Sequence, residues 1–423
     1  MSETAKPKIM ATTLHRLASG DWMERRLVTF VAVLMLIGTI GSLGFILVTA
    51  HGTLDFLGRP LGTDFFSFWT AGRMALDGQA PQAYDWAAHF AVQRKTLGVD
   101  LYSPWSYPPP FLLVASALAA MPYVVALVVW QATTLSAAIA VMWTVVPSQR
   151  ALLLALSFPA VLVCLGHGQT GFLIAALLGG GVVALQRSQI LAGILFGLLI
   201  CKPHFGVLLP FVLVAGGYWR AIVSAAATVV AVIAVTLLIW DWTVWQAFFN
   251  SVHLTRTIVF EAGNTGFEKF QSAFAWVRLW GGPVMLAYGA QAIVAAGVLV
   301  ACVWIWRREA DWRLKGGALV IGALLFSPYT LDYDFVVFGM AVALLASYGL
   351  EAGFQPWDKT LLAAAWFAPA AARSIAKVFY LPVGFLVLTA VFLLIVERVR
   401  AVGRVETGLS HAPVDHAGGA QPA

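Results

Sequence analysis

Long apolar runs, separated by short polar or proline-containing breaks, dominate this chain. The first extends from Leu27 to Ala50. A helix needs about 20 such residues to cross a bilayer. Further runs lie at roughly 123–146, 151–165, 170–185, 190–201, 203–217, 219–240, 284–306, 313–327, 333–350, 360–372 and 381–397. The pattern predicts about twelve crossings, several of them short. A run at 109–121 opens on Tyr107-Pro108-Pro109-Pro110 and stops at Pro122. If Asp64 lies outside and Arg150 inside, an odd number of crossings must separate them. The segment 109–121 is then a half-inserted helix on the outer side, feeding into 123–146. Two long polar stretches, 51–108 and 241–283, become outer loops. The first carries an amphipathic helix from about Phe65 to Gly78. The fold class is therefore an all-α integral membrane helix bundle: one transmembrane domain over 1–404, then a Gly-, Ala-, Pro- and His-rich tail over 405–423. That composition predicts a disordered tail.

Composition supports the class. Hydrophobic residues make up 60% of the 423 and charged residues 11%, where a soluble domain is about 25% charged. Mean hydropathy is +0.83. The net charge of +6 is scattered over helix ends and forms no stripe. It argues against a nucleic-acid partner and for a topological role. Arg25, Arg26, Arg150, Arg187, Arg220, Arg307, Arg308, Arg313, Lys315, Arg398, Arg400 and Arg404 all fall at inner positions on this reading. Most outer basic residues sit in the two long loops, which count least toward orientation. A multi-pass protein of the cell membrane with both termini cytoplasmic follows. Arg25 and Arg26 with Val48-Thr49-Ala50 imitate a signal peptide, but its apolar region runs only about 7–15 residues, so the first helix reads as retained. Cys164, Cys201 and Cys302 each stand in an apolar run and suggest no pairing.

Candidate chemistry sits in the breaks. Asp64 is flanked by Thr63 and Phe65-Phe66 at the edge of the first outer loop. A carboxylate in an apolar setting is costly and marks a functional site; capping the helix that follows is the plain alternative. Gly166-His167-Gly168-Gln169-Thr170, Cys201-Lys202-Pro203-His204, Gln271-Ser272 and Ser327-Pro328-Tyr329-Thr330-Leu331-Asp332-Tyr333-Asp334 all map to the outer side. Broken polar backbone at membrane depth is tolerated where it lines a cavity or is covered by protein. Four breaks on one face point to an outer cavity. Lys202 either snorkels to the interface or neutralises a phosphate, with His204 beside it as a donor. A packed, hydrogen-bonded His204 is the other possibility. Arg256 and Arg278 in the second loop either contact phosphate or are solvated. Asp332 and Asp334 complement a helix dipole or contact substrate. No spacing demands a metal, and no phosphate loop, nucleophile elbow or His-Glu-x-x-His pattern occurs. No cofactor is expected. The glycine run 179–181 reads as close helix packing.

Taken in order, these stretches resemble glycosyltransferase family 87. They are Thr63-Asp64-Phe65 with Gly78 and Tyr84-Asp85, Tyr107-Pro108-Pro109-Pro110-Phe111, Gly168-Gln169-Thr170, Gly197 through Lys202-Pro203-His204, Gln271-Ser272, and Ser327-Pro328 with Tyr333-Asp334. The resemblance runs from about Asp64 to Asp334. Tyr329 stands where a familiar form of the late motif has histidine. It implies a GT-C-like transmembrane fold, a sugar donor on a polyprenyl phosphate (mannose in the best-known relatives), and a catalytic aspartate that maps to Asp64. The acceptor would be a lipid or glycan hydroxyl, attacked with inversion. Lys202, His204 and Arg256 are then expected at the donor phosphate. Tyr107, Gln169, Gln271, Asp332 and Asp334 are expected at the substrate, with Trp69 or Trp105 stacking on the sugar. A transporter or flippase of a lipid-linked or small polar substrate, and a non-catalytic scaffold, are the rival classes. Membrane lipids are partners in every case.

Overall fold

The computed structural model describes residues 5–98 and 102–409, and these are overwhelmingly helical. Eighteen α-helices follow one another: α1 (Ala5–Ser19), α2 (Arg25–Val48), α3 (Phe65–Leu76), α4 (Trp86–Leu97), α5 (Pro109–Ala119), α6 (Tyr123–Val145), α7 (Gln149–Leu156), α8 (Pro159–His167), α9 (Gly171–Ala184), α10 (Gln189–Gly197), α11 (Leu209–Ala215), α12 (Trp219–Leu254), α13 (Ala273–Leu279), α14 (Val284–Arg307), α15 (Trp312–Phe326), α16 (Phe335–Ala352), α17 (Asp358–Phe379) and α18 (Val383–Leu409). Extended pairing among the described residues is confined to isolated bridges, such as Phe270 with Leu331.

Among the described residues six helices are long and apolar enough to cross a membrane, or seven if α7 and α8 count as one span bent by 51°. About twelve were expected. Part of the difference comes from proline and from burial; α15 is only 15 residues long, and α18 carries Glu397, Arg398 and Arg400. Pro159 starts α8 and Pro203 interrupts the run after α10; the residue before a proline is pushed out of the helical region. What remains are short apolar helices: α5, α9, α10 with its tightened end at Cys201, and 203–215. Nearly every residue of α9 is buried in protein, so its surroundings, not its own length, satisfy it. Its glycines let neighbours close in: a Cβ on Gly179 would meet Met340 of α16 at 2.6 Å, and one on Gly181 would meet the Phe196 ring of α10 at 2.2 Å. The chain is a multi-pass membrane protein.

The outer-loop expectations change in detail. α3 starts at Phe65 as expected and ends at Leu76, but it is a core helix rather than a surface one. Phe65, Phe66 and Phe68 are fully buried, each contributing roughly 1.5–3 kcal/mol where water is the alternative. A Cβ on Gly72 would lie 2.0 Å from the Ala115 carbonyl oxygen, so α3 sits backbone to backbone against α5. The stretch 241–283 is not an open loop. α12 breaks only at Asp241 (φ 55°), resumes, and passes into a wider turn over Thr255–Glu261. At the C-terminus α18 carries helix to Leu409, inside the stretch expected to be a disordered tail. Residues 410–423 lie outside the described residues.

The bundle has two chemically different ends. At one, Arg313 pairs with Asp311 (2.7 Å) and Glu351 (2.6 Å), Arg398 pairs with Asp358, and the Ser347 hydroxyl donates to the Val145 carbonyl (3.1 Å). Arg25, Arg26 and Arg150 also share a recess. At the other, the Tyr123 hydroxyl donates to the Leu61 carbonyl, the Trp130 indole to the Gly168 carbonyl (3.0 Å), and the Gln271 backbone N–H to the Thr330 carbonyl (2.9 Å). α6 starts at this second, polar end and finishes at the arginine end.

Candidate active site

Asp64 precedes the first turn of α3, yet its side chain makes no capping bond, and its backbone is already helical (φ −87°, ψ −25°). Its backbone N–H donates to the His167 carbonyl at 3.0 Å, which ties the start of α3 to the end of α8. Gly168 then reverses the chain at φ 66°. A Cβ there would come 2.5 Å from that of Phe65, so glycine is required twice over. The reversal aims Gln169 at the carboxylate. Its Nε2 donates to Asp64 Oδ2 at 2.8 Å, while its Oε1 accepts from the Tyr107 hydroxyl (2.9 Å) and the Thr170 N–H (3.1 Å). Both ends of the amide are engaged, which fixes its orientation. His167 Nδ1 lies 2.8 Å from the Thr63 hydroxyl and 3.9 Å from Asp64 Oδ2. The Asp64 side chain is 35% exposed, and among the described residues its Oδ1 accepts no hydrogen bond. One oxygen is held by Gln169 and the other makes no hydrogen bond within the described residues. Burial pushes the Tyr107 phenol well above its ordinary range, and the charges of Asp334 and Asp64 push the same way. Tyr107 therefore remains a proton-bearing donor, and both carboxylates lie within electrostatic reach of it.

Lys202 is placed differently from the expected open cation. Its Nζ sits 2.6 Å from Asp334 Oδ1, with the side chains 8% and 0% exposed. The Tyr333 and Phe205 rings flank the ammonium at 5.1 and 5.2 Å, and Asp334 Oδ2 accepts the Leu331 N–H at 3.1 Å. The Tyr333 ring stands 6.3 Å from that of His167, so this buried pair backs onto the Asp64 group. Asp332, also buried, accepts the Tyr333 N–H at 2.9 Å and faces Arg373 Nη1 at 3.7 Å.

The remaining expected residues are elsewhere or otherwise occupied. His204 stacks toward Phe205, and its Nε2 is buried with no hydrogen-bond partner among the described residues. Arg256, half exposed, pairs with Glu261 at 3.1 Å. Glu261 also accepts from the Tyr288 hydroxyl at 2.9 Å, and that hydroxyl bonds the hydroxyl of Tyr329. Arg256 thus belongs to a second polar cluster. Gln271 is fully buried; its Oε1 accepts the Gly384 N–H at 3.0 Å and holds the start of α18. Trp105 is buried and stacked on Phe111; Trp69 is partly exposed, its indole donating to the Met121 carbonyl. Among the described residues no three His, Cys, Asp or Glu side chains gather as a metal-ligand group. Asp64, Asp332 and Asp334 each face a different partner.

Two residues join the site that sequence reasoning gave no role. His167 stood inside a break already marked as polar, so its signal was available. Arg373 stood beside the apolar run 360–372 and showed only as one outer charge. Its 45% exposed side chain now lies within electrostatic reach of the same Asp332 carboxylate as His167 and Lys269.

The family model described as glycosyltransferase family 87 matches residues 105–328, just over half of the chain. Tyr107, Gln169, Lys202, His204, Arg256 and Gln271 fall inside the match, whereas Asp64, Asp332 and Asp334 fall outside it. No curated protein and no solved structure matches the chain.

Proposed function

The chain belongs to glycosyltransferase family 87, and on that basis we propose that it moves a sugar from a polyprenyl-phosphate donor to an acceptor hydroxyl, with Asp64 as general base. The observation that carries this reading is the split state of the Asp64 carboxylate: Oδ2 fixed by Gln169 and Oδ1 unengaged among the described residues, in a side chain 35% exposed. The acceptor hydroxyl gives its proton to Oδ1 as its oxygen attacks the anomeric carbon. The bond from that carbon to the phosphate oxygen breaks, and the electron pair leaves with the polyprenyl phosphate. One displacement inverts the anomeric centre. A positioned base of this kind contributes about 10²–10⁴-fold.

Gln169 orients the base, and Tyr107 orients Gln169. The charge developing on the leaving phosphate is met by the exposed guanidinium of Arg373 and, from the neighbouring cluster, that of Arg256. Lys202 acts through Asp334. The neutral pair fixes the turn that carries Tyr333 next to His167, and His204 packs behind it. The sugar is mannose-like, and the acceptor is a lipid or a glycan.

Sidedness follows from the two ends. The unpaired arginines mark the cytoplasmic face, and Asp64 lies at the other. Counting the short helices, the chain passes between the ends in a GT-C-like arrangement of twelve segments, which returns both termini to the arginine end. An outer-face site has no access to cytoplasmic nucleotide sugars, whereas a lipid-linked donor reaches it within the membrane. The test is transfer by the purified full chain from polyprenyl-phosphate mannose or arabinose against transfer from nucleotide sugars. Product from a lipid-linked donor alone is expected. Product from a nucleotide sugar without lipid would overturn the donor assignment.

A further inference from the structure

A large apolar cavity opens at the arginine end and runs inward as far as Phe172 and Val336, which follow Gln169 and Asp334 by three and two residues. It measures about 420 Å³ and runs between α6, α7, α9, α16 and α17, walled by Leu135, Met142, Phe158, Phe172, Met340 and Trp366. Ligand pockets occupy about 300–1,000 Å³. The mouth is of opposite character, formed by Ser148, Arg25 and Arg150. A second recess of about 380 Å³ opens beside it, lined by Arg25, Arg26, Thr29, Phe30 and Arg150. The two share Arg25 and Arg150.

The charges at this mouth are unbalanced. Arg313, Arg398 and Arg400, elsewhere on the same end, each have a carboxylate partner. Among the described residues Arg25, Arg26 and Arg150 have none. The first turn of α7 adds to the imbalance: its leading N–H groups lack intrahelical acceptors, and the Ser148 side chain does not cap them. Ser148, Arg150 and Ala151 all line the cavity. A helix start and three arginines around one opening suit an anion. The walls behind them suit hydrocarbon. A soluble anion would leave the apolar cavity unfilled, and a neutral lipid would leave the arginines unmatched.

We propose that this cavity binds an anionic glycerophospholipid of the leaflet facing the arginine end, one acyl chain inside and the headgroup phosphate between Arg25 and Arg150. The phosphate position is distinct from the transfer site, because Arg25 and Arg150 stand at the end of the bundle opposite Asp64. It would hold the bent α7–α8 segment against α6 and α16 by filling the space between them.

Native mass spectrometry of the detergent-purified full chain tests this, with phosphatidylglycerol, phosphatidylcholine and polyprenyl phosphate as the added lipids. Each basic residue near an anionic lipid surface contributes about 1 kcal/mol, so the Arg25→Gln/Arg150→Gln variant should bind phosphatidylglycerol about thirtyfold more weakly. Both positions are exposed, so folding is not at risk. Ala346→Phe, which fills the cavity, should lose binding with all arginines present. Arg59→Gln, at the other end, should bind as the parent does. Equal binding of phosphatidylglycerol by all four proteins, or equal binding of phosphatidylcholine and phosphatidylglycerol, would overturn the proposal. So would arginine-dependent binding of polyprenyl phosphate without phosphatidylglycerol, since the site would then be a port for an isoprenoid.

Discussion

Lys202→Met separates a structural ion pair from an open phosphate cation. The substitution removes the ammonium 2.6 Å from Asp334 and leaves that carboxylate, which has no exposed surface, without its counter-ion. Removing one partner of a buried pair costs about 3–5 kcal/mol. Asp334→Leu should cost less, because a lysine 8% exposed can extend its chain toward the surface. Replacing both partners by apolar residues of similar volume is often neutral. Lys202→Met/Asp334→Leu should therefore be more stable than Lys202→Met by about 2 kcal/mol or more. The assay is thermal unfolding of the detergent-purified chain, followed by tryptophan fluorescence, with donor affinity measured in parallel. Two results would refute the reasoning. One is a loss below about 1 kcal/mol for Lys202→Met, as for an exposed pair. The other is a double variant whose loss equals the two single losses added. A drop in donor affinity at unchanged stability would restore Lys202 as an open cation.

Gln169→Leu removes the donor to Asp64 Oδ2 and the acceptor of the Tyr107 hydroxyl. A hydrogen bond to a charged group is worth about 1.5–3 kcal/mol, so kcat should fall roughly 10- to 100-fold at similar expression; an unchanged kcat would remove Gln169 from the site. In the outer loop, burial lowers the His89 ring to about 4, against an ordinary 6.5, while its bond to the Ala83 carbonyl opposes the shift. The folded loop binds fewer protons there than the unfolded one, so the stability is fully present above pH 6.5 and is lost as pH falls toward 4. The total is about 3 kcal/mol. Hydrogen exchange of α4 should accelerate over that window in the parent and not in His89→Gln; identical pH profiles would refute it.

The sequence made some of this legible and concealed the rest for physical reasons. α2, α6 and α14 are unbroken, predominantly apolar helices of 23–24 residues, and length alone identifies them. Asp64 as the residue before α3 was legible from the aromatic run that follows it. Whether its carboxylate caps that helix was not, because the competing donor, Gln169, comes from 105 residues away. Lys202 read equally well as a snorkelling side chain and as a phosphate ligand. Its partner is 132 residues distant, and no local periodicity records such a pairing. Gln271 carried the same ambiguity: a polar residue in a loop signals interaction but not whether its acceptor is a sugar or, as here, the start of α18. The short helices were expected as full-length spans because hydropathy registers apolar content, whereas Pro159 and Pro203 determine where a helix stops.

The central claim is that Asp64 removes a proton from the acceptor, and Asp64→Asn tests it most directly. The amide keeps the shape and can still meet Gln169, but it cannot take up a proton at Oδ1. With the purified chain and its lipid-linked donor, single-turnover transfer should fall by about 10²–10⁴-fold, with donor binding and thermal stability unchanged. Transfer within a few-fold of the parent would contradict the account and leave the aspartate as no more than the residue that starts α3.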